Sequence, residues 1–186
     1  MEGKPLLAHV PVELITPHYH VKGKIAVTST GLVGAVNEST ASSIEISEAV
    51  VARLHRPGET VARFDTWEAV KDKLIAVLLE QRTDLGPPAL TRSGFGRMVS
   101  YKIWASLEGF EMFGVMEAPG KFSFAEFMFQ GHRHFVPLYN ATLIPVFFPQ
   151  LVSRAPVLLF NRQMVEGLSI ISKASGPLSP QALPPT

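Results

Sequence analysis

Two His-X-His pairs, His18-Tyr19-His20 and His132-Arg133-His134, are the side chains in this sequence best suited by type to hold a ligand. On a β-strand both histidines of a pair project from one face, an arrangement in which neutral imidazoles chelate a transition metal. Together the pairs would make a four-histidine site, or a three-histidine site completed by water, with Glu13, Glu111 or Glu117 as a further ligand. Apart, they are ordinary exposed or hydrogen-bonded histidines, and no cofactor other than such a metal is expected. No catalytic residue is expected either. Ser123 lacks the G-x-S-x-G surroundings of a nucleophile elbow, and the Ser123-to-Glu126 spacing is that of a helix capping box. The glycines form neither G-x-G-x-x-G nor a P-loop. Glu45 with Glu48, and Glu108 with Glu111, sit in strand or turn contexts that read as solvated faces.

A second chemistry, stacking and phosphate contact with nucleic acid, needs cations beside aromatic rings. Lys102, Lys121 and Arg133 lie near Tyr101, Trp104 and a phenylalanine-rich stretch, so they are the candidate RNA or single-stranded DNA contacts. The net charge of +1 gives no general field for a polyanion, and any such site would be local. Phe124, Phe127 and Met128 read instead as the core-facing side of a short helix. With no cysteine, disulfides, thiol nucleophiles and cysteine-ligated metals are excluded. No apolar run approaches the roughly 18 to 20 residues that span a bilayer. The expectation is a cytoplasmic protein without a membrane span.

What would position these residues is an internal repeat. The segment 23–27 opens one copy as 114–116 opens the other. IEISEAV (44–50) aligns with VPLYNAT (136–142), placing Ala49 opposite Ala141, and VKDKLIAVL (70–78) aligns with FNRQMVEGL (160–168). Repetition of this kind implies one supersecondary unit used twice. Alternation of apolar residues at 10, 12 and 14, at 19 to 25 and at 101 to 107 predicts hairpins. Residues 67–81 have a helical composition, but the repeat equates their centre with a strand, and strand is expected. Short helical turns are expected after Thr30 and after Ser123, strands at 134–139, 141–148, 156–159 and 164–170, and turns at Asn140, Pro149 and 161–162. The resulting organisation is a first small β module (1–81), a Gly-Pro-Pro-containing linker (82–93), an aromatic-rich second module (94–173) and a proline-rich tail (174–186).

The two copies differ in character. Residues 1–90 carry a net charge of −2 and residues 91–186 a net charge of +3, and fourteen of the seventeen aromatics follow residue 91. Polar LHRPGETV (54–61) in the first copy corresponds to apolar LIPVFFPQLV (143–152) in the second. Burying Phe147 and Phe148 would contribute about 1.5 to 3 kcal/mol each, so covering this run is favoured. Leu143, Ile144, Val146, Phe147, Phe148 and Leu151 are therefore the candidate interface, the other readings of such a run being an ordinary buried strand or a contact for lipid or a hydrophobic ligand.

The second copy's layout, with strand, turn, a strand near Gly114, short helix, hydrophobic strand, long strand and a last strand after Phe160-Asn161-Arg162, resembles the small five-stranded barrels of the Sm-like class. RNA-binding members of that class carry an Asp-x-x-x-Asn pocket after strand two and an Arg-Gly step before strand five. Here 118–127 holds no Asp or Asn, and no Gly follows Arg162, so the resemblance implies the barrel rather than the RNA pocket. GKFSFAEFMFQGHRHFVPLYNATLIP with VLLFNRQMV is also similar to a bacterial domain family of unknown function, which implies a fold and no activity. The expected fold is all-β with short helices, as two tandem small β-barrel or rolled-sheet modules. The expected function is a non-enzymatic assembly or adaptor subunit that forms a homo-oligomer or binds a protein partner. Nucleic-acid binding and a histidine-ligated metal are the alternatives.

Overall fold

The computed structural model describes residues 7–87, 98–130 and 133–171. Where the sequence alternates with period two at 10–14, 19–25 and 101–107, the chain forms strands with most of the apolar members turned inward, although Tyr19 is exposed. In β1 (Ala8–Ile15), Val10, Val12 and Leu14 are buried while His9 and Pro11 are exposed. Thr16 closes the hairpin to β2 (Tyr19–Val27), its Oγ1 accepting from the amides of His18 and Tyr19 at 3.3 and 2.9 Å. The remaining strands are β3 (Ser43–Arg53), β4 (Arg56–Val70), β5 (Ala76–Leu79), β6 (Met98–Leu107), β7 (Phe110–Pro119), β8 (Phe135–Pro145), β9 (Ser153–Asn161) and β10 (Val165–Ile170). A seven-residue helix, α1 (Gly31–Asn37), joins β2 to β3, and a helical turn at Glu126–Gln130 lies between β7 and β8.

All ten strands form one antiparallel sheet in the order β10-β6-β7-β8-β9-β5-β1-β2-β3-β4. The first five strands thus run β5-β1-β2-β3-β4 and the last five β10-β6-β7-β8-β9, and β5 pairs with β9 to join them. The fold is all-β as expected, but the sheet does not close. Among the described residues nothing pairs with the outer edge of β4 or of β10, so neither half is a closed barrel.

Two apolar cores flank the joint. β5 is the run Ala76-Val77-Leu78-Leu79, with all four residues buried, and its neighbour β9 buries Val157, Leu158, Leu159 and Phe160. Side chains alternate across these strands, so Val77, Leu79, Val157 and Leu159 enter the first core while Ala76, Leu78, Leu158 and Phe160 enter the second. Burial on both faces explains why these strands read as continuous apolar runs. Each core is incomplete without a strand from the other half.

Several expectations are refined by the backbone. Residues 67–81 are extended rather than helical, apart from one 3-10 turn at Lys71–Lys73. Asn140 does not end a strand. It bends β8 at φ 48°, as Glu48 bends β3 at φ 53°. The strand through Ala141 stops at Pro145, before Phe148. Thr30 stands at the N-cap of α1 without a side-chain cap bond, its hydroxyl bonding Thr28 instead. Ser123 does cap, its Oγ accepting from the Glu126 amide at 3.4 Å. Within the segment read as a linker, Arg82–Leu85 forms a 3-10 turn with Leu85 buried. The expected module start at residue 94 and the proline-rich tail lie outside the described residues.

Candidate functional site

The strand pairing decides which chemistry-bearing side chains meet. Register in the β1–β2 hairpin sets Glu13 opposite Lys22, with His20 two residues nearer the turn. Glu13 Oε1 accepts from Lys22 Nζ at 2.7 Å, and Glu13 Oε2 lies 2.8 Å from His20 Nε2. The His20 hydrogen bond, with help from Lys22, holds the Glu13 carboxyl well below its ordinary range, at about 2, against the opposing effect of partial burial. Glu13 and Lys22 form part of a groove of about 450 Å³ along the joint, with Leu78, Glu80, Arg154 and Pro156 on its other walls.

This arrangement divides the proposed metal ligands. His20 and Glu13 are engaged with each other, His18 is exposed in the β1–β2 turn, and His134 is exposed ahead of β8. His132 lies outside the described residues. Glu111 and Glu117 lie on β7, away from that hairpin in the strand order. Among the described residues no three His, Asp or Glu side chains gather as a metal site.

The nucleic-acid candidates lie in different settings. Lys102 is exposed on β6, and its carbonyl accepts from the Ile171 amide. Lys121 is exposed just beyond β7. Arg133 is half-buried, and burial pushes its guanidinium pKa down. The neighbouring aromatics mostly serve the core. Tyr101, Phe122, Phe127 and Phe160 form a chain of tilted rings with centroids 5.8 to 6.1 Å apart. Phe127 is on the core side of its helical turn as expected, whereas Phe124 is exposed.

The apolar segment that aligned with a polar one is divided by the turn after β8. Leu143 and Ile144 are buried in the strand, and Phe148 and Leu151 are half-buried. Phe148 stacks at 5.7 Å on His55, from the turn between β3 and β4, so this aromatic spans the two halves. Only Val146 and Phe147 project fully, and Phe147 is 81% exposed.

The largest unpartnered feature is elsewhere. β4 is fifteen residues long, its outer edge makes no strand pair among the described residues, and along it Val61, Phe64 and Val70 are exposed while Trp67 is half-covered. Long flat edges with exposed apolar side chains are what strand-adding partners recognise. The sequence signal for it was weak, since Val61, Phe64 and Trp67 stand three apart among mostly polar residues instead of alternating, and nothing showed which side of the strand would lack a neighbour. Sequence reading also passed over three buried polar side chains. Lys71 donates from Nζ to the carbonyls of Ala35 and Glu38 at 3.2 and 2.9 Å, Arg162 donates to the Phe127 carbonyl at 2.6 Å, and Asn161 donates to the Leu74 carbonyl at 3.1 Å. Burial lowers the pKa of Lys71 and of Arg162 from their ordinary values. Both cations satisfy carbonyls at the ends of the short helical elements, as buried charges must.

Among the described residues no helix is long and apolar enough to cross a membrane. No family model, curated protein or solved structure matches the chain.

Proposed function

We propose that the chain is a non-enzymatic assembly or adaptor subunit built from two copies of one rolled five-strand module. The observation that carries the reading is the unpaired β4 edge with exposed Val61, Phe64 and Val70, to which the projecting Val146 and Phe147 add apolar surface. Backbone donors and acceptors along such an edge are satisfied best by another strand, and the apolar side chains are covered by the same contact.

The two-copy reading is supported by local detail. Both halves share a strand order. β2 shifts register against β3 at Gly23, and β7 shifts against β8 at Gly114. A Cβ on Gly23 would stand 2.8 Å from the Ser47 carbonyl oxygen, and one on Gly114 2.9 Å from that of Tyr139, so both positions require the bare backbone. The positive-φ residue in the facing strand, Glu48 or Asn140, follows that carbonyl directly. Before the last strand of each half comes a 3-10 turn whose first residue is a buried cation, Lys71 or Arg162.

The test is the solution mass of the untagged protein by light scattering, with absorbance at 260 and 280 nm across the peak, repeated for Phe64→Asp and Phe147→Asp. The reading expects a multiple of 20.3 kDa, or a stable complex with a protein partner, with a pure protein spectrum and a loss of association in at least one variant. A monomer at every concentration that captures no partner would overturn it. Excess absorbance at 260 nm would replace it with the nucleic-acid reading, for which Lys102, Lys121 and Arg133 then become the residues to alter.

A further inference from the structure

The partner of the β4 edge can be read from the joint that the chain already contains. Inside the molecule, the last strand of the first half (β5) pairs with the fourth strand of the second half (β9). The two edges left open are β4 and β10, the fourth strand of the first half and the last strand of the second. These are the same two kinds of strand, so the joint can be made again between two chains. We propose that the occupant of the β4 edge is the β10 edge of a second copy, and that the protein associates head to tail by repeating its internal β5–β9 joint. This rests on the assembly reading and names its partner.

The register follows from equivalent positions. Val12 faces both Gly23 and Leu79, as Ile103 faces both Gly114 and Ile170, so Leu79 corresponds to Ile170 and Ala76 to Gly167, one residue on from the sequence alignment of 70–78 with 160–168. Ala49 faces Phe64 as Ala141 faces Ala155, so Val157 corresponds to Thr66 and Phe160 to Ala69. The internal pairs are Ala76 with Phe160, Val77 with Leu159, Leu78 with Leu158 and Leu79 with Val157. Carried to the open edges, they become Gly167 with Ala69, Leu168 with Glu68, Ser169 with Trp67 and Ile170 with Thr66.

A further observation favours this contact. Trp67 and Ala69 already lean on the first core, and Leu168 on the second, the places their counterparts occupy at the internal joint. The open edges are also less apolar than the joint, with Thr66, Glu68 and Ser169 standing where the joint has Val157, Leu159 and Leu78, and Ala69 where it has Phe160. The contact between chains is therefore weaker than the joint within one and dissociates on dilution. Contacts of this head-to-tail kind close into a ring when their rotation permits and otherwise extend.

The absence of cysteine makes a direct test clean. Thr66→Cys with Ile170→Cys places one thiol on each edge at positions that are exposed in the free chain, so folding is undisturbed. After mild oxidation of the full-length protein, a non-reducing gel is expected to show a ladder of two or more copies, with a disulfide-linked peptide joining positions 66 and 170. A disulfide tolerates little displacement, so Thr66→Cys with Ser169→Cys, one residue out of register and on the opposite face, should cross-link about 10-fold less. Equal yields from the two pairs, or efficient dimers from Thr66→Cys alone, would overturn the head-to-tail register. If light scattering still finds an oligomer while the matched pair does not cross-link, the inference falls and the assembly reading stands. A monomer in both measurements removes this inference, and one that also captures no protein partner removes both.

Discussion

The joint between β5 and β9 and the open edges β4 and β10 are chemically opposite solutions to one geometry. At the joint, eight residues are buried on both faces of the sheet. Along β4 only Ala69 of fifteen residues is buried, and β10 has no fully buried residue. An open edge offers the same backbone donors and acceptors that β5 and β9 use at the joint, so what separates a permanent junction from an open one is the side-chain layer. Seven of the eight joint side chains are Val, Leu or Phe, and each contributes about 1.5 to 3 kcal/mol on burial. The edge positions keep a few apolar anchors set among polar groups, which suits reversible contact.

The largest expected effect tests that contrast directly. Leu158→Asp buries an unpaired carboxylate between β5 and the second core, and should cost more than about 4 kcal/mol or abolish folding. Phe64→Asp on the open edge should change monomer stability by no more than about 0.5 kcal/mol in urea denaturation. Comparable losses from the two would erase the distinction between joint and edge.

A smaller effect compares the halves at their matched bends. Gly23→Ala and Gly114→Ala each push a methyl group against a facing carbonyl and should destabilise by about 1 to 3 kcal/mol, with similar values in both halves. Gly58→Ala, where no atom lies within 4 Å, is the control and should be nearly neutral. If only one bend proves sensitive, the equivalence of the halves is broken.

The smallest effect concerns Glu13 beside the joint. Its carboxyl is held at about 2 rather than 4.5, so its contribution to stability is complete above pH 4.5 and is lost as pH falls towards 2. Because about 30% of the Glu13 side chain is exposed, the contribution is only about 1 kcal/mol after solvent screening. Denaturation of the wild type and Glu13→Gln should therefore differ by that amount at pH 7 and converge near pH 2. A constant difference across the range would show that the Glu13–His20–Lys22 cluster does not couple to folding.

Part of this molecule was legible without coordinates. Alternation marked β1, β2 and β6, because a half-buried strand must place every second side chain in the core. The hairpin around Thr16-Pro17 could also have paired Glu13 with Lys22, since turn length sets register. The candidate interface was less legible. Leu143, Ile144, Val146, Phe147 and Phe148 are alike in hydropathy, yet the first two enter the second core or its margin, Phe148 meets His55, and Val146 and Phe147 project. Hydropathy reports that burial is favourable and not which neighbour supplies it. The histidine pairs show the same limit, since one member, His20, is claimed by a carboxylate from the adjacent strand.

Local sequence alone determined the strand-rich class and several of the turns, because these depend on side-chain alternation and backbone permissiveness within a few residues. The turn expected at 56–59 is instead the start of β4, the chain reversing at 54–55. Tertiary structure alone decided that β5 pairs with β9 instead of closing its own half, that Lys71 and Arg162 go inside to satisfy helix-end carbonyls, and that β4 is left as an edge. These outcomes depend on which of several chemically acceptable neighbours reaches a strand or a carbonyl, and that choice is made between residues up to about ninety positions apart in the chain.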